Sequence, residues 1–476
     1  KDGRHPLMDK SINVPLQFEI GEHARGIIIT GPNTGGKTVA IKTVMLNSMM
    51  AQCGLHVTCR EADICMNNSY LCDIGDGQSL SENLSTFSAH IKNALEVLKE
   101  ANPDNTEVLM LLATIAKATD SKAEKTTILK EILAKDPQHS GANTELGHEQ
   151  MLKSNFKLAN RYYLTALAGD STNLDALAGY GQSSYYTDNL EEAKATFLKM
   201  LEIDETNAFA WAYLGKLEAE VPDYRQALEY VEKAITYEPD YYDYWLDYGT
   251  YLQNCNRQEE AVTAWSKAIE LRPDYFLGYV YRGGLYDELN MVEEAFADYK
   301  MVNQLYPEYY FAYESLGILA WVNGDYAASR DGFSKAYEIY PASTSYPLMI
   351  AATYYMEAYE KQGTPEEATL KKAGKDYISK VVLKKLDRNS TEYAIARLFY
   401  DNVAPGSVAQ KVENETNANK RGKYLFYLAM YYQIRGNDNI AQKYYITVQE
   451  MQTPMFFEYR LNDWAIEKYR AAGKLF

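Results

Sequence analysis

The sequence lacks any apolar run of about 20 residues, the length that a membrane-spanning helix requires. No stretch has the basic start, apolar centre and small-residue end of a secretory signal peptide, although the chain starts at Lys1 without a methionine. These absences predict a cytoplasmic protein with no membrane partner.

Cysteine and histidine are scarce, with 5 and 6 residues in a chain of 476. The four early cysteines are spaced 6, 6 and 7 residues apart, which matches no zinc or redox motif. They are Cys53, Cys59, Cys65 and Cys72. His5, His23, His56 and His90 share no ligand spacing either. We therefore expect reduced core thiols and histidines in surface or loop roles.

Basic residues are outnumbered, 48 against 65 acidic ones, which gives a net charge of −17. The imbalance is uneven, because the first 100 residues hold 9 basic and 11 acidic residues. Those same 100 residues contain only one of the 42 tyrosines, Tyr70. The two compositions indicate two modules. The acidic surface of the second module would repel a phosphate backbone, so basic or polar protein partners suit it better than nucleic acid.

Proline, glycine and alanine recur after residue 100 in three series that share a period of 34 residues. The series are Pro239, Pro273, Pro307 and Pro341; Gly147, Gly181, Gly215, Gly249, Gly283 and Gly317; and Ala159, Ala193, Ala227, Ala261 and Ala295. Such a period is typical of stacked helix pairs, since one pair cannot bury its own apolar face. Glycine and alanine would allow close helix approach, and proline would end the second helix.

This pattern resembles the tetratricopeptide family, whose 34-residue repeat carries Trp, Leu-Gly, two Ala and a closing Pro. Ala208–Tyr241 is the most complete unit, and seven units run from Thr106 to Ser343, with Ala113 replacing the glycine in the first. Residues 344–476 lose the period. We expect them to form an irregular helical cap with a turn at Gly436-Asn437-Asp438.

The resemblance implies a groove for an extended peptide or a partner helix, lined by the inner face of the first helix of each repeat. Counting from the glycines, the groove positions include Phe209, Ala212, Lys216, Asp243, Leu246, Thr250, Gln253, Asn254, Val280, Asp287, Phe311 and Trp321. The Lys/Asn set with which some members clamp a terminal carboxylate is not repeated, which disfavours a chaperone-tail adaptor. Packing between repeats is the alternative role for the many tyrosines.

The N-terminal segment contains a glycine-rich loop between a short apolar run, Gly26–Thr30, and a helical pattern, Val39–Met50. The loop is Gly31, Pro32, Asn33, Thr34, Gly35, Gly36, Lys37 and Thr38. It matches GxxxxGK[ST] in the strand–loop–helix context of a P-loop. Backbone N–H groups and the helix N-terminus would bind phosphate. Lys37 would reach the outer phosphates and Thr38 could ligate Mg²⁺.

Four segments in order look like the motifs of the MutS-family ATPase, most of all its MutS2 branch. They are Arg4-His5-Pro6-Leu7, residues 31–38, Asp73-Ile74-Gly75-Asp76 and Leu84-Ser85-Thr86-Phe87-Ser88-Ala89-His90. The resemblance covers about residues 1–98. It implies ATP and Mg²⁺ as cofactors, Asn33 as a phosphate contact and His5 in a nucleotide-side loop. It also implies a homodimer formed through this segment, and a role at mismatched or branched DNA or at stalled ribosomes.

The family pattern is incomplete, because its hydrophobic strand ending in Asp-Glu does not follow His90. Two apparent substitutes, residues 200–205 and 287–289, fall in the repeat register and are interpreted as scaffold. Gly77 also stands where the MutS2 pattern usually has Glu. Without its carboxylates the loop can hold phosphate but cannot place the metal and the attacking water. We expect weak nucleotide binding and no useful hydrolysis.

The sequence therefore predicts a mainly α fold, a tetratricopeptide α-solenoid preceded by a partial α/β P-loop NTPase module of the MutS type. The expected domains are 1–100, 101–343 and 344–476. Two functions of different class remain open. One is an ATP-binding, DNA-repair-type protein with an appended interaction array, in which DNA is a partner. The other is an interaction scaffold that carries a vestigial or artefactually joined ATPase fragment.

Overall fold

The computed structural model describes residues 1–9, 11–18, 37–53, 55–64, 99–100, 104–451 and 454–475. They divide into two compact units, Lys1–Ile203 and Asp204–Phe476. Within the described ranges the protein is mainly helical, and β structure there is limited to an isolated antiparallel bridge between Gly3 and Leu16. None of the described helices is both long enough and apolar enough to cross a membrane.

In its described ranges, the first unit contains α1 (Lys37–Gln52) and then three antiparallel helix pairs. The pairs are α2 (Thr106–Ala118) with α3 (Lys122–Lys135), α4 (Ser140–Leu152) with α5 (Phe156–Gly169), and α6 (Leu174–Tyr186) with α7 (Leu190–Ile203). We call the first helix of each pair helix A and the second helix B.

The second unit begins with four more pairs in the same 34-residue register. They are α8 (Ala208–Glu220) with α9 (Tyr224–Tyr237), α10 (Tyr242–Asn254) with α11 (Gln258–Leu271), α12 (Leu277–Glu288) with α13 (Val292–Leu305), and α14 (Tyr310–Val322) with α15 (Tyr326–Ile339). Seven consecutive pairs thus occupy the range in which the sequence period predicts seven repeats.

The rest of the second unit departs from the period. Its helices are α16 (Ser345–Glu360), α17 (Pro365–Tyr377), a π-helical turn (Ile378–Val382) that ends in α18 (Leu383–Lys385), α19 (Thr391–Asp401), α20 (Pro405–Glu413), α21 (Ala418–Gln433), α22 (Asp438–Gln449) and α23 (Glu458–Ala471). The predicted hairpin with a turn at Gly436 corresponds to α21 and α22.

Local signals with the same period set the helix boundaries. Asn105, Asn173 and Asn207 each cap a helix A by accepting a hydrogen bond from a backbone N–H in its first turn. The turn between helix A and helix B repeatedly contains a residue with positive φ. These residues are Asp120, Ser154, Asp188, Asn256, Asn290 and Gly324. Most are Asn, Asp or Gly, the types that tolerate this left-handed conformation.

The space beside the repeated glycines is occupied more by aromatic rings than by backbone atoms. A Cβ added at Gly249 would lie 2.4 Å from Nε1 of Trp265, and one added at Gly181 would lie 2.7 Å from the Phe197 ring. Backbone crossing is found instead at Gly332, where a Cβ would lie 2.8 Å from the backbone N of Gly317. The predicted close approach is therefore correct, but a buried ring on helix B takes most of the space.

The C-terminal helices continue the core of the last repeats. One hydrophobic cluster joins Trp321 and Phe333 of the last pair to Tyr355, Tyr427 and Leu461 of the aperiodic helices. Because these helices bury their apolar faces against the array, they belong to the same compact unit as the last four repeats.

Candidate functional site

The segment that carries His5 is held against α1 by hydrogen bonds. The buried Asn47 of α1 donates through Nδ2 to the Arg4 carbonyl at 3.0 Å and accepts the Thr58 N–H at 2.7 Å. The Arg4 N–H in turn donates to the Thr58 carbonyl at 2.8 Å. The first MutS-like segment and the helix that follows the glycine-rich loop are therefore joined at Asn47.

His5 is fixed in this arrangement by its backbone. Its N–H donates to Oδ1 of Asn13 at 3.1 Å, and its carbonyl accepts from Nδ2 of Asn13 at 2.7 Å. The imidazole Nδ1 accepts the Leu7 N–H at 3.3 Å. The ring is half-buried, so His5 is positioned as a loop residue with a defined orientation.

Most of the glycine-rich loop lies outside the described residues. This applies to Gly31, Pro32, Asn33, Thr34, Gly35 and Gly36, and also to the predicted strand 26–30 and the segments 73–76 and 84–90. Lys37 and Thr38 open α1, which places a helix N-terminus directly after the loop, but their side chains are outside the description. The sequence-based assignment of this site stays a prediction.

Eight of the twelve residues predicted to line the groove are at least partly accessible. They are Phe209, Lys216, Asp243, Thr250, Gln253, Asn254, Val280 and Phe311. The ammonium group of Lys216 pairs with Asp247 of the next helix A at 2.5 Å. The hydroxyl of Thr250 donates to the Leu246 carbonyl at 2.9 Å. Polar and aromatic side chains thus share the accessible inner positions of α8 to α14.

The prediction is wrong for the other four residues, because Ala212, Leu246, Asp287 and Trp321 are buried. Leu246 belongs to the cluster around Trp265, whose Nε1 donates to the Leu246 carbonyl at 3.1 Å. Trp321 packs edge-to-face on Tyr326 with ring centroids 5.1 Å apart. Counting from the glycine locates these side chains on the array but does not reveal what covers them.

The chain's own last helix, α23, lies against the inner positions of the last repeats. Arg460 of α23 forms a bidentate ion pair with Asp287 of α12, a predicted groove residue. Just before α23, Phe457 stacks on Phe333 at 5.3 Å and on Tyr346 at 5.7 Å between centroids. The helix also contacts α14. The part of the groove at α12 and α14 is therefore occupied by α23, a helix of the same chain.

Two carboxyl groups accompany this contact, those of the half-buried Glu314 and the buried Glu458. Oε2 of Glu314 accepts from the hydroxyl of Tyr346 at 2.7 Å, and Oε1 of Glu458 accepts from the hydroxyl of Tyr427 at 3.1 Å. Burial raises the pKa of Glu314 to about 7, and it also raises the pKa of Glu458. The sequence analysis missed Glu314, although it stands three residues before Gly317, as Leu246 does before Gly249.

Comparison with known families identifies two regions. The family model for MutS domain V matches residues 27–135, and the tetratricopeptide repeat model matches residues 214–275. The endonuclease MutS2 of Acetivibrio thermocellus is 46% identical over 121 residues, which cover 25% of this chain and 15% of that protein. A Clostridium botulinum endonuclease MutS2 is 40% identical over 132 residues, which cover 28% of this chain and 17% of that protein. This chain thus spans less than a fifth of the curated relatives.

Solved structures of helical-repeat proteins are more distant. Pseudomonas aeruginosa pilF has a TM-score of 0.40 at 18% identity, over 45% of this chain and 96% of its own. A tetratricopeptide repeat protein from Parabacteroides merdae has a TM-score of 0.39 at 18% identity, over 52% of this chain and 98% of its own.

The MutS-type match ends later than the sequence motifs suggest. It extends to residue 135 and so includes α2 and α3, the first helix pair. Residues 106–135 contain no two adjacent acidic residues, so the extended match adds no Asp-Glu pair. The chain joins a segment similar to MutS domain V to a tetratricopeptide repeat array, and the predicted resemblance to both families is confirmed.

Proposed function

We propose that the chain is a protein-binding scaffold whose inner groove takes a helix or an extended peptide of a partner protein. The observation that carries the proposal is the seating of α23 against α12 and α14, with Arg460 on Asp287. An array that binds one amphipathic helix through an apolar contact and a bidentate ion pair has the chemistry to bind another.

The upstream inner positions supply the surface for the partner. Phe209, Thr250 and Val280 are accessible on three successive helices A of the second unit. The acidic balance of the chain, −17 overall, favours a partner segment with basic residues, since complementary charge speeds and orients docking. Aromatic and aliphatic side chains at these positions would contact its apolar face.

A peptide library selected against the full chain tests this function. We expect selected peptides to lose at least tenfold in affinity when Thr250→Arg introduces bulk and charge at an inner position. Thr263→Arg is the matched control, because Thr263 is exposed on helix B and makes the same hydrogen bond to the carbonyl four residues earlier, at 3.0 Å. Peptides that bind both variants equally would place the binding surface elsewhere.

We also propose that the N-terminal segment binds ATP with Mg²⁺ and does not hydrolyse it usefully. The support is the similarity of residues 27–135 to MutS domain V, together with the start of α1 at Lys37 directly after the glycine-rich loop. Residues 31–36 would hold the phosphates through backbone N–H groups, with Lys37 on the outer phosphates, Thr38 on Mg²⁺ and His5 on the nucleotide side. Mg²⁺ would neutralise phosphate charge.

Binding of a fluorescent ATP analogue to the full chain, with Lys37→Ala as the control, tests the nucleotide site. We expect measurable binding that Lys37→Ala removes. Turnover that Lys37→Ala abolishes would contradict the absence of hydrolysis. If the intact chain does not bind the analogue, the alternative function applies, in which the protein is an interaction scaffold with a vestigial or artefactually joined ATPase fragment. Light scattering would detect a homodimer formed through this segment. Titration with branched DNA would detect DNA binding.

A further inference from the structure

A pocket of about 560 Å³ opens among the aperiodic helices of the second unit, away from Asp287 and the inner positions used above. Helices α16 and α17 provide most of its wall, and α19 and the C-terminal end of α21 complete it. Its volume lies within the range of about 300–1,000 Å³ that is typical of small-molecule sites.

The charge of this pocket is opposite to that of the chain. Four cationic side chains line it, against a single carboxylate, that of Glu367. The cations are Lys371, Lys372, Lys375 and Arg435. Glu367 is paired with Lys371 at 2.5 Å. The lining therefore carries a net charge of about +3 in a protein whose overall charge is −17. The cations outnumber the carboxylate and repel one another, so the cluster is suited to an anion.

Aromatic side chains form the floor of the pocket. Tyr355 and Phe399 lie with ring centroids 5.4 Å apart, and the Tyr355 hydroxyl donates to the Phe399 carbonyl at 2.8 Å. This hydrogen bond fixes the orientation of the Tyr355 ring. Tyr359 is one helical turn further along α16. The Tyr355 and Phe399 rings are tilted by 51° to each other, and together they form an apolar aromatic floor against which a ring system can pack.

Arg435 is held in place by stacking. Its guanidinium carbon lies 3.8 Å from the centroid of the Tyr431 ring, and Nη1 donates to the Tyr431 carbonyl at 3.4 Å. Partial withdrawal from water lowers the pKa of Arg435. Within the described part of the chain, no carboxylate forms an ion pair with this guanidinium. Its planar fork is therefore preorganised to bind an oxyanion.

We propose that this pocket binds a small phosphate ester that carries a planar ring system. The phosphate contacts Lys375, Lys371 and Arg435, and the ring lies on Tyr355, Tyr359 and Phe399. A dianionic phosphate matches the excess of cations better than a single carboxylate does, because it balances more of their charge. The pocket involves neither the inner groove nor the glycine-rich loop, so the inference does not rest on the function proposed above.

Flavin mononucleotide is a suitable probe, because stacking on tyrosine quenches its fluorescence, and riboflavin is the same molecule without the phosphate. The titrations use the full chain with Lys37→Ala, so that the glycine-rich loop does not contribute. We expect the mononucleotide to bind at least tenfold more tightly than riboflavin, and inorganic phosphate to compete with it. Affinity should also fall as salt is raised.

Three variants locate the site. Lys375→Gln and Arg435→Gln should each weaken binding of the mononucleotide at least fivefold. Lys384→Gln is the control and should not weaken it, because Lys384 is exposed in α18 and lies outside the pocket. Lys375 is exposed, so its variant tests the site even if Arg435→Gln perturbs packing on Tyr431. Equal affinity for riboflavin, or unchanged affinity in Lys375→Gln, would overturn the proposal.

Discussion

Arg460 donates both terminal nitrogens of its guanidinium to the carboxylate of Asp287, a residue 173 positions earlier in the chain. The Asp287 side chain is 6% exposed and that of Arg460 is 42% exposed. The carboxylate is therefore held inside the array while its partner reaches in from α23. Burial raises the pKa of Asp287, and Arg460 opposes that rise, so the ion pair offsets part of the cost of burying this carboxylate.

Replacing Arg460 with Met should release α23 from the groove. The substitution leaves Asp287 without its partner, which costs about 1–3 kcal/mol for a buried acceptor. Amide hydrogen exchange should increase across Glu458–Ala471 and remain unchanged in α8 and α9. Arg470→Met is the control, because Arg470 is exposed and its ion pair is with Glu467 of its own helix. Unchanged exchange in α23 would show that the apolar contacts alone hold it.

The contact of α23 should also weaken as pH rises. Glu314 has its pKa raised to about 7, above the ordinary value of about 4.3. The folded state therefore binds more protons than the unfolded state between these values, and stability decreases as pH increases through 7. The facing groups are Glu458, whose pKa is raised in the same direction, Arg460, Lys423, and the hydroxyls of Tyr346 and Tyr427.

Hydrogen exchange of α23 at pH 6 and pH 8, corrected for the intrinsic rate, measures this dependence. We expect lower protection at pH 8 in the native chain and a smaller difference in Glu314→Gln, which imitates the protonated acid. Glu338→Gln, at an exposed position paired with Lys335, should retain the native difference. Equal pH dependence in all three chains would exclude Glu314 as the titrating group.

Periodic features of this protein could be predicted from the sequence, and aperiodic ones could not. The 34-residue spacing of proline and glycine locates each helix pair, because the same local physics recurs in every repeat. The position of α23 depends instead on long-range contacts such as that between Arg460 and Asp287, which have no local signature. For the same reason, counting from the glycine placed Trp321 on the inner face but could not show that it is buried in a core shared with the C-terminal helices.

Two features outside the repeats could not be predicted from the sequence, the contact between Arg4 and α1 and the pocket at Arg435. The contact between Arg4 and α1 depends on the side chain of Asn47, which belongs to no motif in the sequence. The pocket at Arg435 was not predicted at all. Its lysines follow one another on α17, whereas Phe399 and Arg435 come from helices with no shared period, so no spacing connects them.

Asn47→Ala should loosen the N-terminal segment. It removes the hydrogen bonds to the Arg4 carbonyl and from the Thr58 N–H, which together contribute on the order of 1–3 kcal/mol. We expect faster hydrogen exchange at residues 4 and 58. Met49→Ala, on the exposed side of α1, should leave those amides unchanged. If both substitutions act equally, the effect reflects the helix as a whole rather than this junction.

Alanine should lower the stability of the protein at Gly332 and raise it at Gly284. A methyl group at Gly332 would lie 2.8 Å from the backbone N of Gly317 and 2.8 Å from the Tyr313 carbonyl oxygen. Backbone atoms cannot move aside as a flexible side chain can, so α14 and α15 would have to separate. Overpacking of this kind costs about 1–3 kcal/mol. At Gly284, by contrast, an added methyl group would have the Tyr299 hydroxyl oxygen at 4.0 Å, and alanine should stabilise α12 by about 0.5–1 kcal/mol.

Thermal unfolding of the two variants, measured beside the native chain, separates these effects. We expect Gly332→Ala to lower the midpoint by several degrees and Gly284→Ala to raise it slightly, since about 1 kcal/mol corresponds to about 2–4 °C in a unit of this size. Gly332→Ser should be at least as destabilising as Gly332→Ala, because the clash arises at Cβ and not further along the side chain. A native-like midpoint for Gly332→Ala would show that α14 and α15 do not cross at Gly317 and Gly332.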